Sequence, residues 1–419
     1  MSKARKNILP PALHYRPFFL LWSGLLIAIA GAQMQAAALL WHLRTLSDQP
    51  VLVSGIGLVR FLPVLLLAPV GGVVADTFNR RRIMFLTQIT QMLVALLLGL
   101  LTWTGIIRIW HIYLLTAIQA VAASFDNPAR QSLTPNLVPR EVLPSAFSLQ
   151  SIASNTGAIV GPALSGLVIG YLGQAYAYWI NALSFSAVLL ALILMGPVSQ
   201  GVRAALRGVN ENLGAIVEGV RFILYRPVIL SSMLLDFIAT FFASANTLLP
   251  FVARDILHVD EIGYGWLAAA QSIGAVSVGL VVAQFHQLRR QGILLLSSVT
   301  AFGMATAIFG LSRTFLAAIG ALVLIGAGDS LSTIIRNTIR QLQTPDFIRG
   351  RMTSLNQIFF LGGPQLGEIE AGLVAQAFGI PFAIISGGVG CIMGVALVAG
   401  IWPQLARYNG DELAPAMST

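Results

Sequence analysis

The sequence predicts an all-α integral membrane protein of twelve transmembrane helices, arranged as two six-helix parallel repeats. Three observations carry that prediction. Hydrophobic residues make up 56% of the 419-residue chain and charged residues only 10%, whereas a soluble domain carries about 25% charged residues. Twelve apolar stretches are long enough to span a bilayer, which takes ~20 residues per helix. One short signature also occurs twice. Val73 to Asp76 is followed by Arg81-Arg82, and Val281 to Gln284 by Arg289-Arg290, an offset of 208 residues.

The stretches run about 17–42, 51–75, 83–105, 110–127, 146–170, 175–196, 228–252, 263–285, 292–312, 315–335, 354–378 and 381–402. Lys3, Arg5, Lys6 and Arg16 precede the first, in the manner of a signal peptide. The run from Phe18 to Trp41 is long enough to span, so a retained first helix is expected. The second stretch ends at Asp76, and Arg80, Arg81 and Arg82 make a tight basic hairpin before the third. Connections as short as Gly173-Gln174 and Gly379-Ile380 force neighbouring helices to be antiparallel. The longest polar connection falls at the centre, and within it Asn212 to Leu224 is weakly amphipathic and expected along the membrane surface. The division that follows is an N-terminal six-helix bundle (1–196), a cytoplasmic linker (197–227), and a C-terminal six-helix bundle with a short cytoplasmic tail (228–419).

Further repeats test the duplication. Arg130-Gln131 and Thr134-Pro135 recur as Arg340-Gln341 and Thr344-Pro345, an offset of 210, and Gly166-Leu167-Val168 recurs as Gly372-Leu373-Val374, an offset of 206. Parallel repeats of this kind build transporters whose halves rock about a central site.

The net charge of +9 raises the question of a nucleic-acid partner, but the charges sit between apolar runs and form no extended basic face, so none is expected. Their placement sets topology instead. With the N-terminus inside, twenty Lys and Arg residues fall on the inner face, and only Arg44, Arg108, Arg254 and Arg313 on the outer. The positive-inside rule then makes both termini cytoplasmic, in a bacterial-type inner membrane. The single Cys391 excludes an intramolecular disulfide or a redox pair. His14, His42, His111, His258 and His286 have no paired ligand spacing, so neither a metal site nor a hydrolytic constellation is expected. No nucleotide-binding Gly-x-x-x-x-Gly-Lys-Ser/Thr motif is present. A membrane enzyme, a lipid handler or a resident cofactor is therefore not expected.

Gly72-x-x-x-Asp76-x-x-x-Arg80-Arg81 resembles the motif between helices 2 and 3 of the major facilitator superfamily. Gly157-x-x-x-Gly161-Pro162-x-x-x-Gly166 is similar to the helix-5 motif associated with its antiporters. Phe125-Asp126-Asn127-Pro128-Ala129-Arg130-Gln131, the run from Arg336 to Arg351, and Leu366-Gly367-Glu368-Ile369-Glu370-Ala371-Gly372 are similar to the branch containing the enterobactin exporter and related secretion proteins. The resemblance spans essentially the whole chain and implies the twelve-helix fold, alternating access and transport. The family pattern carries an arginine directly after the acid, where this chain has Thr77, so Arg130 becomes the expected substitute partner of Asp76. The arginine that many family antiporters carry on helix 4 falls near Thr116, and Arg60 is the expected replacement.

From the residues themselves, Asp76 with Arg80, Arg81 and Arg130 is the candidate gate, a lock that forms in one access state and breaks in the other. Gly72 belongs to that motif, while Gly157, Gly161 and Pro162 bring helix 5 close to a neighbour and kink it. Ionisable groups inside a bilayer are costly and are functional candidates. Arg60 lies ~14 Å into the second helix and Asp236 ~12 Å into the seventh, by the helical rise. Glu368 and Glu370, two apart, point about 200° apart on the eleventh, so one is expected to line a cavity and the other to bond a neighbouring helix. Asp329 and Arg336, seven apart, share a face of the tenth. A carboxyl group in low dielectric can exchange its proton near neutral pH, which is the coupling an antiporter needs. Arg60, Asp236, Asp329, Glu368 and Glu370 are therefore the candidates for substrate contact or proton coupling. The aromatics Phe125, Phe185, Phe241, Phe242, Phe359, Phe360, Trp179 and Trp266 are expected mostly to pack or face lipid. The expected activity is secondary active, proton-coupled export of an amphipathic small molecule, siderophore- or drug-like, by a monomer in the lipid bilayer. An importer or facilitator on the same fold is the alternative, and a non-transporting membrane protein the more distant one.

Overall fold

A computed structural model describes residues 10–198, 221–285, 289–344 and 349–410. Among them are twelve long helices and no strand: α1 (Arg16–Leu46), α2 (Pro50–Thr77), α3 (Arg80–Trp103), α4 (Ile109–Leu133), α5 (Leu143–Leu172), α6 (Gln174–Leu194), α7 (Pro227–Ala243), α8 (Glu261–Val282), α9 (Gln291–Leu311), α10 (Phe315–Gln343), α11 (Arg349–Phe378) and α12 (Ile380–Ile401). A short α13 (Pro403–Arg407) follows. Each predicted stretch falls on one of these long helices, though the seventh, 228–252, is helical only to Ala243 before it breaks. Ten of the helices are long and apolar enough to cross a membrane. The other two, α4 and α11, have 25 and 30 residues and carry the polar side chains discussed below. The central 199–220, with Arg203, Arg207 and most of the expected surface helix, lies outside the described residues, as do Lys3, Arg5 and Lys6, the side chains of Arg349 and Arg351, and those of Phe359 and Phe360.

Helices α4 and α10 run past their apolar stretches to Leu133 and Gln343, because the backbone ladder does not stop where the hydrocarbon does. The seventh helix does the opposite. It stops at Ala243, and the chain rewinds through a 3-10 turn (Asn246–Leu248), one α turn (Leu249–Phe251) and a π turn (Val252–Ile256). Pro250 explains the break, since its ring would clash with the carbonyl of Asn246 in a continuous helix.

Packing groups the chain into two compact units, residues 1–42 with 62–205, and residues 43–61 with 206–419. Within the first, α3 packs on α4 and α6, and α5 on α6; within the second, α9 packs on α10 and α12, and α11 on α12. The duplication reaches single bonds. Gly173 (φ 98°, ψ 166°) turns α5 into α6, and Gly379 (φ 91°, ψ 159°) turns α11 into α12 at an offset of 206. Both need glycine, since a side chain is strained at that φ. Arg130 donates to Asn127, and 210 residues later Arg340 donates to Asn337.

The core of the first unit includes Phe18, Leu21, Met84, Ala129, Phe185 and Val188. Buried amides tie its helices together. Gln35 donates to Gln119 (3.0 Å) and accepts from Asn181 (2.6 Å), joining α1, α4 and α6. His42 and Tyr178 share a hydrogen bond of 2.9 Å beside them.

Candidate functional site

At the turn between α2 and α3 in the first unit, Asn79 caps α3 by accepting from the backbone N–H of Arg82 (3.1 Å). That cap aims Arg80 and Arg81 at helix ends, where cations meet unpaired carbonyls. Arg80 donates to the carbonyls of Ala75 (3.1 Å) and Ser132 (3.0 Å) and to Asn136 Oδ1 (3.3 Å), joining the ends of α2 and α4. Arg81 donates to the carbonyl of Leu192 (2.7 Å) near the end of α6. Asp76 lies 3.8 Å from Arg80 with a side chain 53% exposed, so it is screened and holds little by itself. Arg130, the expected substitute, is engaged with Asn127 and makes no ion pair with Asp76 among the described residues. Gly72 has open space where a Cβ would stand.

The helix-5 glycines do press α5 onto α1. A Cβ at Gly157 would lie 2.6 Å from Ile29, and one at Gly161 would lie 2.5 Å from Gln33 and 2.8 Å from the Ala30 carbonyl. Pro162 sits inside α5 without breaking it. The same spacing recurs 206 residues on. A Cβ at Gly363 would lie 2.3 Å from Thr240, and one at Gly367 would lie 2.0 Å from the Phe241 carbonyl, so α11 is pressed onto α7 in the same way.

The second unit gathers the buried charges. Asp236 of α7 accepts from Arg336 of α10, and both side chains are 5% exposed. Arg336 also donates to Thr333 (2.7 Å), which turns its guanidinium back along α10 toward Asp329. Asp329 completes a cluster whose other members are Asp236, Arg336 and Arg340. A pair this buried is costly to break, since either partner left alone is an uncompensated charge.

A second site lies on α2. A Cβ at Gly57 would stand 2.6 Å from Glu368 Oε2 and 3.1 Å from Gln365 Oε1. Arg60 is one turn further along α2, and Glu368 is the carboxylate within its electrostatic reach, with Tyr264 of α8 nearby. Gln365 Oε1 is buried and receives no donor among the described residues. Glu370, ~200° round the helix from Glu368, makes no ion pair among the described residues. Of the predicted ionisable residues, the structure thus brings together Arg60 with Glu368, and Asp236 with Asp329 and Arg336.

Sequence reasoning missed several groups. Arg44 is 8% exposed and donates to both carboxylate oxygens of Asp255 (2.8 and 3.0 Å), bonds Asp48, and lies 4.7 Å from the Phe251 ring. Asp255 rides on the π turn after the α7 break. Ser54 shares a hydrogen bond of 2.9 Å with Thr247 of the same segment. In the first unit Asp126 accepts from Thr87 (2.8 Å) and Gln88 (3.0 Å), all three buried. The signal for Asp126 and Arg44 was an ionisable residue in an apolar helix, but Asp126 read as part of a family motif and Arg44 as a loop charge. Among the aromatics, Phe185 is core and Trp266 is 49% exposed.

A multi-pass helical bundle in two repeats, with charges buried inside its membrane-spanning helices, is the architecture of a membrane transporter of the major facilitator superfamily. Residues 10–417 match the profile of the transmembrane secretion effector family. The chain belongs to that family. It is 25% identical over 403 residues to the multidrug efflux pump Tap of Mycolicibacterium fortuitum, covering 94% of this chain and 97% of Tap. It is 28% identical over 347 residues to the enterobactin exporter EntS of Citrobacter koseri, covering 83% and 82%. The fold is shared with a POT family transporter in complex with 5-aminolevulinic acid (TM-score 0.72, 11% identity, covering 92% of this chain and 96% of that one). It is also shared with a bacterial homologue of the iron transporter ferroportin in an inward-facing state (TM-score 0.68, 17% identity, covering 94% and 99%).

Proposed function

We infer that this protein is a secondary active exporter of an amphipathic small molecule, siderophore- or drug-like, driven by inward proton flow. It works as a monomer in a bacterial inner membrane, with both termini in the cytoplasm. The observation that carries the reading is the half-buried Glu368, set against Gly57 and within reach of Arg60, beside a Gln365 carbonyl oxygen that lacks a donor. A carboxylate so placed can exchange its cationic partner for a proton or for a polar group of a substrate. The Asp236–Arg336 pair with Asp329 is the second candidate for coupling. Outward transport is supported by the relatives, a multidrug efflux pump and an enterobactin exporter. In this reading Arg80 and Arg81 hold the cytoplasmic ends of the helices in this access state, and Asp76 and Arg130 pair in another.

Everted vesicles carrying the protein, energised to a proton gradient and followed with a pH-sensitive dye, test this. Catecholates, macrolides, dyes and quaternary cations are added in turn. Proton release by one compound in the wild type, lost in Glu368→Gln, Glu370→Gln or Asp236→Asn, supports coupled export and identifies the acid. Uptake of a radiolabelled compound that never disturbs the gradient would overturn the coupling and leave a facilitator.

A further inference from the structure

Two opposite charges of the second unit stand near each other without bonding. Arg60 of α2 and Glu368 of α11 are half-buried, and neither makes a hydrogen bond or an ion pair among the described residues. They lie within electrostatic reach of each other, and Tyr264 is the other group near Arg60. Asp236 and Arg336 of the same unit, by contrast, bond directly.

Helix packing brings the pair together and holds it open. Gly57 and Arg60, three apart, share a face of α2, and Gln365 and Glu368, three apart, share a face of α11. The two helices lie in antiparallel register. A Cβ at Gly372 would stand 2.4 Å from Ser54 Cβ, and one at Gly362 would stand 3.6 Å from the Phe61 ring. Between these contacts, Glu368 Oε2 and Gln365 Oε1 lie 2.6 and 3.1 Å from the Cβ that Gly57 lacks. The hydrogen that meets them there is bound to carbon and is a weak donor. Gln365 Oε1 is buried and receives no other donor among the described residues.

The fold does not require these charges. At the 208-residue offset Gly57 recurs as Gly265, but Arg60 is replaced by Ala268, and at the 206-residue offset Glu368 answers to Pro162. The glycine belongs to the repeat, whereas the charge pair occurs once. A guanidinium without an acceptor and a carboxylate without a donor are costly in a membrane helix unless a bound group supplies both. A group of one charge would satisfy one member and oppose the other, because the pair itself is neutral. We propose that Arg60, Glu368 and Gln365 form a substrate subsite for a zwitterionic head group, its ammonium on Glu368 and its anionic oxygens on Arg60. A guanidinium takes two such oxygens side by side. The Gln365 amide turns to offer its oxygen or its N–H groups to what lies between. The substrate class is thus an amphipathic zwitterion.

This inference rests on the transport reading above, but the two fail separately, since equilibrium binding involves neither direction nor a proton gradient. The full-length chain in lipid nanodiscs at neutral pH is titrated with three probes that share one ring system: 3-(1-naphthyl)alanine, 2-(1-naphthyl)ethylamine and 3-(1-naphthyl)propionate. Empty nanodiscs correct for partition into lipid. The zwitterion should bind about ten- to a hundredfold more tightly than the amine or the acid, the effect of one charge-assisted contact. Arg60→Gln should weaken the zwitterion and strengthen the amine, and Glu368→Gln should weaken the zwitterion and strengthen the acid. Those gains are results that an unfolded variant cannot give. Equal binding of the three probes, no binding of the zwitterion, or a zwitterion affinity unmoved in both variants would overturn the proposal and leave a site for water only. Should either variant fail to fold, the order of the probes on the wild type decides. Proton release by a simple cation in the vesicles, with no zwitterion bound in the nanodiscs, would sink this inference and leave export standing.

Discussion

Replacing Arg336 by methionine leaves Asp236 as a carboxylate buried between α7 and α10, with its one ion-pair partner among the described residues removed. Both side chains are 5% exposed, so little solvent reaches the charge that remains. Breaking a buried pair from one side costs about 3–5 kcal/mol, whereas replacing both charges with apolar groups of similar volume is often neutral. Arg336→Met and Asp236→Leu should therefore each lose about 3–5 kcal/mol, and the double variant should lose far less than their sum. Denaturant titration in detergent, followed by tryptophan fluorescence, gives all four stabilities. Single variants within about 1 kcal/mol of wild type, or a double variant whose loss is the sum of the two, would refute the buried-pair reasoning. The cycle also separates structure from coupling. A double variant that folds and still transports against the same gradient would assign the pair to holding α7 on α10.

Four further outcomes follow from the geometry. Gly57→Ala places a methyl 2.6 Å from Glu368 Oε2 and should abolish transport while leaving an expressed, folded protein, read by vesicle uptake against size-exclusion behaviour. Gly161→Ala and Gly367→Ala drive a methyl to 2.5 Å from Gln33 and 2.0 Å from the Phe241 carbonyl, and each should lose about 1–3 kcal/mol in the same titration. Gly72→Ala meets open space and should stay within about 0.5 kcal/mol, so any loss of transport in it reports another access state. Arg44→Gln removes the bonds to Asp255 and should lower the thermal midpoint, while Asp48→Asn, whose acid is 92% exposed, should change it little.

The sequence was most informative where one physical constraint acts alone. Twelve spans were legible because hydrocarbon thickness dictates length and apolarity, and the two-fold repeat because glycines and basic turns survive at fixed offsets. The π turn and the break before Asn246 were not legible, since α7 reads as one apolar run and only Pro250 marks the interruption. Asp236 and Arg336 could be singled out as buried charges, but 100 residues of sequence hide that they bond each other. Arg44 was harder still. At the end of a helix it reads as a loop residue, and only tertiary packing buries it against Phe251. Glutamine, threonine and asparagine carry no charge to mark them as candidates and their partners lie on other helices, so the Gln35–Gln119–Asn181 chain and the Gln88–Asp126 pair emerge only from coordinates.

The grouping of residues 43–61 with 206–419 bears on the order in which the chain can mature as it leaves the ribosome. Arg44, Ser54 and Gly57 are made early, but Asp255, Thr247 and Glu368 are made roughly two to three hundred residues later. During synthesis the first hairpin therefore enters the bilayer with an arginine whose bidentate partner does not yet exist. A nascent chain released after residue 196 should remain open to membrane proteases along 43–61 and become resistant only when the later helices are supplied. The first helices made would thus be among the last to finish folding.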